Sequence, residues 1–263
     1  MGFEYLTNVP LAQARKEYLE RLVSGGFGSK TETIPVFESC GRVTAKAVYA
    51  HICAPHYAAS AMDGVAVSAK ETFGATETTP VTLKPDQFLV LDTGDPIPED
   101  KDAVIMVEDI VKNGDGSITI HAAAAPWQHI RQIGEDVCAG EMILPSHMTV
   151  SPAAIGAMIA GGVLEIEVIR KPVVGIIPTG DEIIPPCTDP KPGDILEFNG
   201  SIFSAMVRSW GAEAVVYPIV PDKFNQIKEM VAKAADECDM VILNAGSSAG
   251  REDFSARVIR ELG

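Results

Sequence analysis

The sequence predicts a multidomain α/β protein: a β-rich module inserted into a helical region, followed by a parallel three-layer α/β domain. Three observations carry this prediction. From Pro172 onward, apolar runs alternate with amphipathic stretches in a β-α-β-α-β order, which implies a parallel sheet with right-handed crossovers. Between residues 48 and 143 the texture is instead short alternating runs broken by turn residues. Finally, the segments 178–182, 221–223 and 245–253 each follow a predicted strand and precede a predicted helix. Such loops gather at the carboxyl edge of a parallel sheet, where these folds bind ligands. The third is rich in Gly and Ser, and its backbone amides suit an anion at the start of a helix.

Taken in order, residues 11–22 read as an amphipathic helix, with Leu11, Ala14, Tyr18, Leu19 and Leu22 on one face and Gly25-Gly26 as its stop. In the β-rich stretch, the runs 103–108, 109–112 and 117–121 flank Asn113-Gly114-Asp115-Gly116, a strong hairpin signal. Residues 151–163 begin with Ser151 and Pro152, an N-cap and first-turn pair, and stop at Gly161-Gly162. This helix is expected to pack on the first one. The resulting division is 1–47 with 144–171 as a helical and linker domain, 48–143 as the inserted β-rich domain, and 172–263 as the α/β domain. In the last, strands are predicted at 173–177, 214–219 and 240–244 and helices at 201–210, 223–235 and 253–262. A three-stranded sheet covered on both faces is unusually small, so this domain is read as incomplete at Gly263.

Composition narrows the function classes. Of 263 residues 46% are apolar, ample for packed cores, yet runs such as 173–177 fall far short of the roughly 20 residues that span a bilayer. No signal-peptide pattern opens the chain, so the cytoplasm is the expected compartment, with no membrane partner. A formal net charge of -15 disfavours nucleic-acid binding, which needs clustered Lys and Arg. Cys40, Cys53, Cys138, Cys187 and Cys238 are odd in number and widely spaced, suggesting neither a disulfide framework nor a zinc site.

Candidate site residues fall into two groups. The acids Asp181, Glu182, Asp222 and Asp253 stand in topologically equivalent loops and are expected to converge. Crowded carboxylates repel unless solvated, protonated or bridged, and Mg²⁺ is the natural bridge. Against this, Asp222 and Asp253 also suit helix capping, worth about 0.5 to 2 kcal/mol each. The second group lies in turns: Asp63-Gly64, Thr93-Gly94, and Arg131 with Glu135 and Asp136, where the guanidinium suits phosphate or carboxylate. Taken singly, each of these turns also reads as an ordinary solvated loop. The histidines show no catalytic spacing and are expected at the surface or in satisfied polar roles, and the methionines as packing residues.

The ordered motifs resemble the MoeA/gephyrin E-domain family of molybdopterin molybdenumtransferases. They are S-A-M-D-G-V-A-V at 60–67, T-G-D-P-I-P with D-A-V-I-M-V-E-D across 93–109, I-R-Q-I-G-E-D at 130–136, P-T-G-D-E-I at 178–183 and G-S-S-A-G-R-E-D at 246–253. The resemblance implies Mg²⁺-dependent insertion of molybdate into adenylylated molybdopterin with release of AMP. It further implies a homodimer, with a molybdopterin adenylyltransferase as a possible partner. Asp63, Thr93, Arg131, Asp136, Glu182 and Asp222 are then the catalytic candidates. Gly246, Ser247, Ser248, Gly250 and Asp253 become the substrate-binding ones, and Glu182, Asp222 and Asp253 the metal ligands. The family's G-G-V-S-x-G loop stands here as Ala245-Gly246-Ser247-Ser248-Ala249-Gly250, and its K-P-G-K-P stretch is expected beyond Gly263. Two further expectations compete with catalysis: a non-catalytic pterin-binding scaffold, and a MogA-like adenylyltransferase, against which the first 150 residues argue.

Overall fold

A computed structural model describes residues 9–28, 30–244 and 254–263. The chain divides into two compact units, Met1–Thr31 with Ile169–Gly263, and Glu32–Val168.

Within Glu32–Val168 two separate apolar clusters form. One gathers Val36, Val48, Val150, Ala154, Met158 and Val168 around the helix Pro152–Ala160. Ser151 caps that helix, its hydroxyl accepting the Ala154 amide at 3.2 Å, and Pro152 follows at the first helical position, as the sequence predicts. Strands Val48–Tyr49 and Met142–Leu144 pair antiparallel beside it, so both chain crossings into the intervening β structure run side by side. The second cluster, including Val65, Val67, Leu83, Ile105, Ile118 and Ile120, lies within the β structure itself. There Gly64–Val67 is the central strand of an antiparallel sheet between Phe88–Leu91 and Ala103–Met106, and all four of its residues are buried. A second three-stranded sheet runs Val81–Leu83, Ile118–Ile120, Ile110–Lys112. The predicted hairpin is present: Ile110 faces Ile120, and the Asn113 amide closes the turn on the Ser117 carbonyl at 2.9 Å.

In the other unit, Glu213–Val216, Val173–Pro178 and Met240–Asn244 form a parallel sheet with Val173–Pro178 in the middle. The central strand is buried almost throughout, as parallel strands covered on both faces must be. Helix Phe224–Glu237 buries Ile227, Val231 and Ala234, spaced to share one face, in a cluster with Ile177, Tyr217, Val220 and Val258. Full burial of a side chain such as Ile177 or Ile227 stabilises by about 1.5–3 kcal/mol. Helix Asn199–Ser209 packs on Glu213–Val216 and the central strand, and Ser255–Leu262 packs on Phe224–Glu237. Phe224 meets the Phe254 ring edge-on at 5.9 Å, with the Arg257 guanidinium 4.2 Å from its centroid.

Three expectations are corrected. Helix Leu11–Ser24 belongs to the unit containing the parallel sheet, not with Pro152–Ala160; none of its residues is buried, and Tyr18 reaches Met240 Sδ at 3.9 Å. The methionines are not uniformly core: Met158 is fully buried, whereas Met142 and Met206 stand on the solvent faces of their strand and helix, and Met62 and Met148 are exposed in loops. Two histidines are neither exposed nor satisfied, since Nδ1 of His121 and of His129 is buried without a hydrogen-bond partner.

Candidate functional site

At the carboxyl edge of the parallel sheet, the chain leaves Val173–Pro178 through Thr179, Gly180 and Asp181. The Thr179 amide and hydroxyl both donate to the Asn244 carbonyl, at 3.0 and 3.1 Å. The Gly180 amide then donates to the Val220 carbonyl at 3.1 Å, tying the loop to the one after Glu213–Val216. Glycine is required there: its φ is +144°, and a Cβ would lie 2.6 Å from Ile183. The loops meet at their acids, the Asp222 amide donating to Asp181 Oδ1 at 3.3 Å. Asp181 and Glu182 are exposed and Asp222 half-buried. A cleft of about 560 Å³ opens beside them, lined in part by Pro178, Gly180, Asp181, Glu197, Tyr217 and Pro221. Burial, with Cys238 and Glu237 close by, pushes the Tyr217 phenol up, so its hydroxyl stays protonated and donates to Glu237 at 2.7 Å. Of the predicted acidic cluster, Asp181, Glu182 and Asp222 share this edge. Asp253, with Gly246, Ser247, Ser248 and Gly250, lies outside the described residues. Among the described residues no group of three or more His, Cys, Asp or Glu is placed to hold a metal ion.

The second group of candidates is assembled in the other unit by a small sheet. Ala59–Ser60 pairs antiparallel with Ile130–Arg131 and bridges to Pro96 on its other side. The Ser60 amide donates to Asp95 and the Gly94 amide to Ser60, each at 2.8 Å, which draws the 92–97 turn against the residues leading to Asp63. Asp63 Oδ1 consequently accepts both the Thr93 hydroxyl and the Thr93 amide at 2.7 Å. The hydroxyl bond first, then the amide bond, holds this exposed carboxyl below its ordinary range. Arg131 does not stand open to an anion as its sequence context suggests. Its guanidinium forks onto Asp136 at 2.7 Å and Glu135 at 3.1 Å, and these bonds, Asp136 first, raise its already high pKa. Asp63 with Thr93 and Arg131 with Asp136 are thus two directly bonded pairs held by the turns around one small sheet. The sequence placed Glu135 beside Arg131 and Asp136 but left it out of the catalytic candidates, although it binds the same guanidinium. Sequence reading missed Glu197, which closes on the Gly200 amide at 2.6 Å and lines the cleft.

A parallel α/β domain whose carboxyl edge gathers acids, joined in one chain to a β-rich unit carrying ordered acid and arginine pairs, defines a multidomain α/β protein. Residues 9–162 match the family "MoeA N-terminal region (domain I and II)", and residues 175–263 match "Probable molybdopterin binding domain". The chain belongs to the MoeA family. It is 35% identical over 234 residues to molybdopterin molybdenumtransferase 2 of Mycobacterium tuberculosis, covering 83% of this chain and 58% of the relative. It is 31% identical over 265 residues to a molybdopterin molybdenumtransferase of Haemophilus influenzae, covering 96% and 65%. Among solved structures, a molybdopterin biosynthesis moeA protein from Pyrococcus horikosii superposes with a TM-score of 0.81 at 30% identity, over 98% of this chain and 67% of that one. The chain therefore spans about three-fifths of the length of the first of these relatives.

Proposed function

We propose that the chain acts in molybdenum cofactor biosynthesis as a molybdopterin molybdenumtransferase, inserting molybdate into adenylylated molybdopterin with release of AMP. One observation carries the reading: in a chain of the MoeA family, Asp181 lines a cleft of about 560 Å³ at the carboxyl edge of the parallel sheet, with Glu182 next to it in sequence and the Asp222 amide bonded to its carboxylate. That edge is where such sheets bind ligands. Mg²⁺ fits this donor set, because it keeps several waters and takes one or two carboxylates together with substrate oxygens rather than a closed protein cage. When bound it would offset the charge of phosphate and molybdate oxygens, with Glu182 and Asp222 as its holders and Asp253 as a further ligand. The loop bearing Gly246, Ser247, Ser248 and Gly250 is assigned the terminal phosphate of the pterin. Asp63, kept ionised by Thr93, accepts hydrogen bonds from the substrate, and Arg131 supplies the positive charge that an incoming oxyanion takes over from Asp136 and Glu135. Homodimeric assembly, a molybdopterin adenylyltransferase as upstream partner, and a cytoplasmic setting belong to the same proposal. No helix among the described residues is long and apolar enough to cross a membrane.

The test is AMP release from adenylylated molybdopterin with molybdate and Mg²⁺, for the chain and its Glu182→Gln and Asp63→Asn variants. Each substitution is expected to slow release by roughly 10²–10⁴-fold while the protein stays folded. Undiminished release in both folded variants would overturn the site. Tight pterin binding with no release by the unaltered chain would favour the scaffold reading instead.

A further inference from the structure

We propose that Cys53 and Cys138 are a dithiol modification site, converted reversibly to a disulfide that staples the neck of the β structure. Ala54 and Val137 form an antiparallel bridge and exchange both hydrogen bonds, Ala54 N to Val137 O at 2.9 Å and Val137 N to Ala54 O at 3.2 Å. Extending that register by one residue sets Cys53 opposite Cys138 as a non-hydrogen-bonded pair, a geometry in which Cα atoms are typically about 4.5 Å apart with side chains on one face. That separation is within the range a disulfide spans.

The sulfurs also converge. A Cβ at Gly134 would lie 2.8 Å from Cys138 Sγ and 3.6 Å from Cys53 Sγ, so both thiols crowd the one position kept bare by a glycine at φ +75°. Neither sulfur is committed to another covalent partner: Cys53 Sγ accepts the Ala139 amide at 3.3 Å and Cys138 Sγ meets the Gly134 carbonyl at 3.4 Å. Cys138 is exposed and Cys53 half-buried, which makes Cys138 the thiol an oxidant reaches first.

The oxidant is a small-molecule disulfide such as oxidised glutathione. The Cys138 thiolate attacks one of its sulfurs, forming a mixed disulfide and expelling one thiolate. The Cys53 thiolate then attacks Cys138 Sγ, expelling the second. Two small thiols leave carrying the two protons the cysteines lost, and two electrons pass to the former disulfide. The loop so closed contains the whole cluster from Val65 to Ala124 and the turn bearing Arg131, Glu135 and Asp136. Cross-linking its ends restricts the unfolded chain most where the enclosed loop is long.

This inference does not depend on the proposed activity. The unaltered chain is equilibrated in glutathione buffers of graded ratio, trapped with an alkylating agent, and analysed by intact mass and non-reducing peptide mapping. The expected result is a monomer that loses two of its five thiols together, with the peptides bearing Cys53 and Cys138 linked, and recovers them in excess reduced glutathione. The oxidised form should melt several degrees above the reduced form, a difference absent in Cys138→Ser. A persistent glutathione adduct on Cys138, links through Cys40, Cys187 or Cys238, intermolecular dimers, or retention of all thiols would each overturn the site. A Cys53–Cys138 link that leaves the melting temperature unchanged would overturn the stapling role.

Discussion

A single oxygen of Asp63, Oδ1, accepts both the hydroxyl and the amide of Thr93, each at 2.7 Å. The two residues are thirty positions apart, and the bonds exist because Ser60 pairs through its backbone with Gly94 and Asp95. Replacing Thr93 by Val keeps the amide bond and removes the hydroxyl, the larger of the two causes that depress the Asp63 titration. Carboxyl-detected NMR should show Asp63 titrating at higher pH in Thr93→Val and close to the unaltered position in Thr93→Ser. Identical titration in all three proteins would mean that the hydroxyl contributes nothing.

Gly64 is a packing requirement. A Cβ there would lie 2.0 Å from the Ile105 carbonyl oxygen, in a strand fixed by pairing on both sides. Gly64→Ala should destabilise by about 3 kcal/mol, at the upper end of overpacking costs, because backbone rather than a flexible side chain must yield. Gly114, exposed in the hairpin turn with nothing near its Cβ position, should tolerate alanine to within about 0.5 kcal/mol. Urea midpoints for the pair provide the comparison, and equal losses would contradict it.

What the sequence made legible was periodicity and punctuation. The alternation of apolar runs located Val173–Pro178, Phe224–Glu237 and Met240–Asn244 to within a few residues, and Ser151-Pro152 marked a helix start that the structure keeps. The expected strand 214–219 is shorter, Glu213–Val216, because Tyr217 to Pro221 turn across the sheet edge, with Val220 bridging to Thr179. Likewise the run 103–108 breaks at Met106 into a 3-10 turn, Val107–Asp109. Long-range pairing was not legible. Nothing local to Asp63 announces Thr93, and nothing local to Cys53 announces Cys138, since each contact is decided by the register of strands that meet only after folding. The acids of the sheet edge were found because topology, unlike register, follows from element order.

Met158 tests the cluster around Pro152–Ala160. It is completely buried among Val36, Val48, Val150 and Val168, so Met158→Ala should cost about 2–5 kcal/mol through lost burial and a residual cavity. Met142, 51% exposed on the strand Met142–Leu144, should cost well under 1 kcal/mol on the same change. Thermal or urea denaturation distinguishes them, and a small effect at Met158 would show that the surrounding apolar residues collapse into the space.

Asp239 should govern part of the acid sensitivity of the parallel-sheet unit. Burial alone would raise its pKa, but the Val173 amide, donating at 2.9 Å, together with Lys30 and Arg170, outweighs burial and holds it at about 2, against an ordinary 3.8. A carboxyl depressed in the folded state contributes stability that is fully present above its unfolded pKa and is lost as pH falls towards the folded one. Between about pH 4 and pH 2 the unfolded chain binds the extra proton, so stability falls as acid is added. At 1.36 kcal/mol per unit the shift corresponds to about 2.5 kcal/mol at most, and the exposed Lys30 end of the network brings the expected loss nearer 1 kcal/mol. Urea midpoints from pH 6 to pH 2.5 should show Asp239→Asn less stable than the unaltered chain by a constant amount above about pH 5. The gap should narrow below pH 4, and 0.5 M salt should shrink it through screening of Lys30. A gap that stays constant down to pH 2.5 would assign the loss to packing of the altered side chain rather than to its charge.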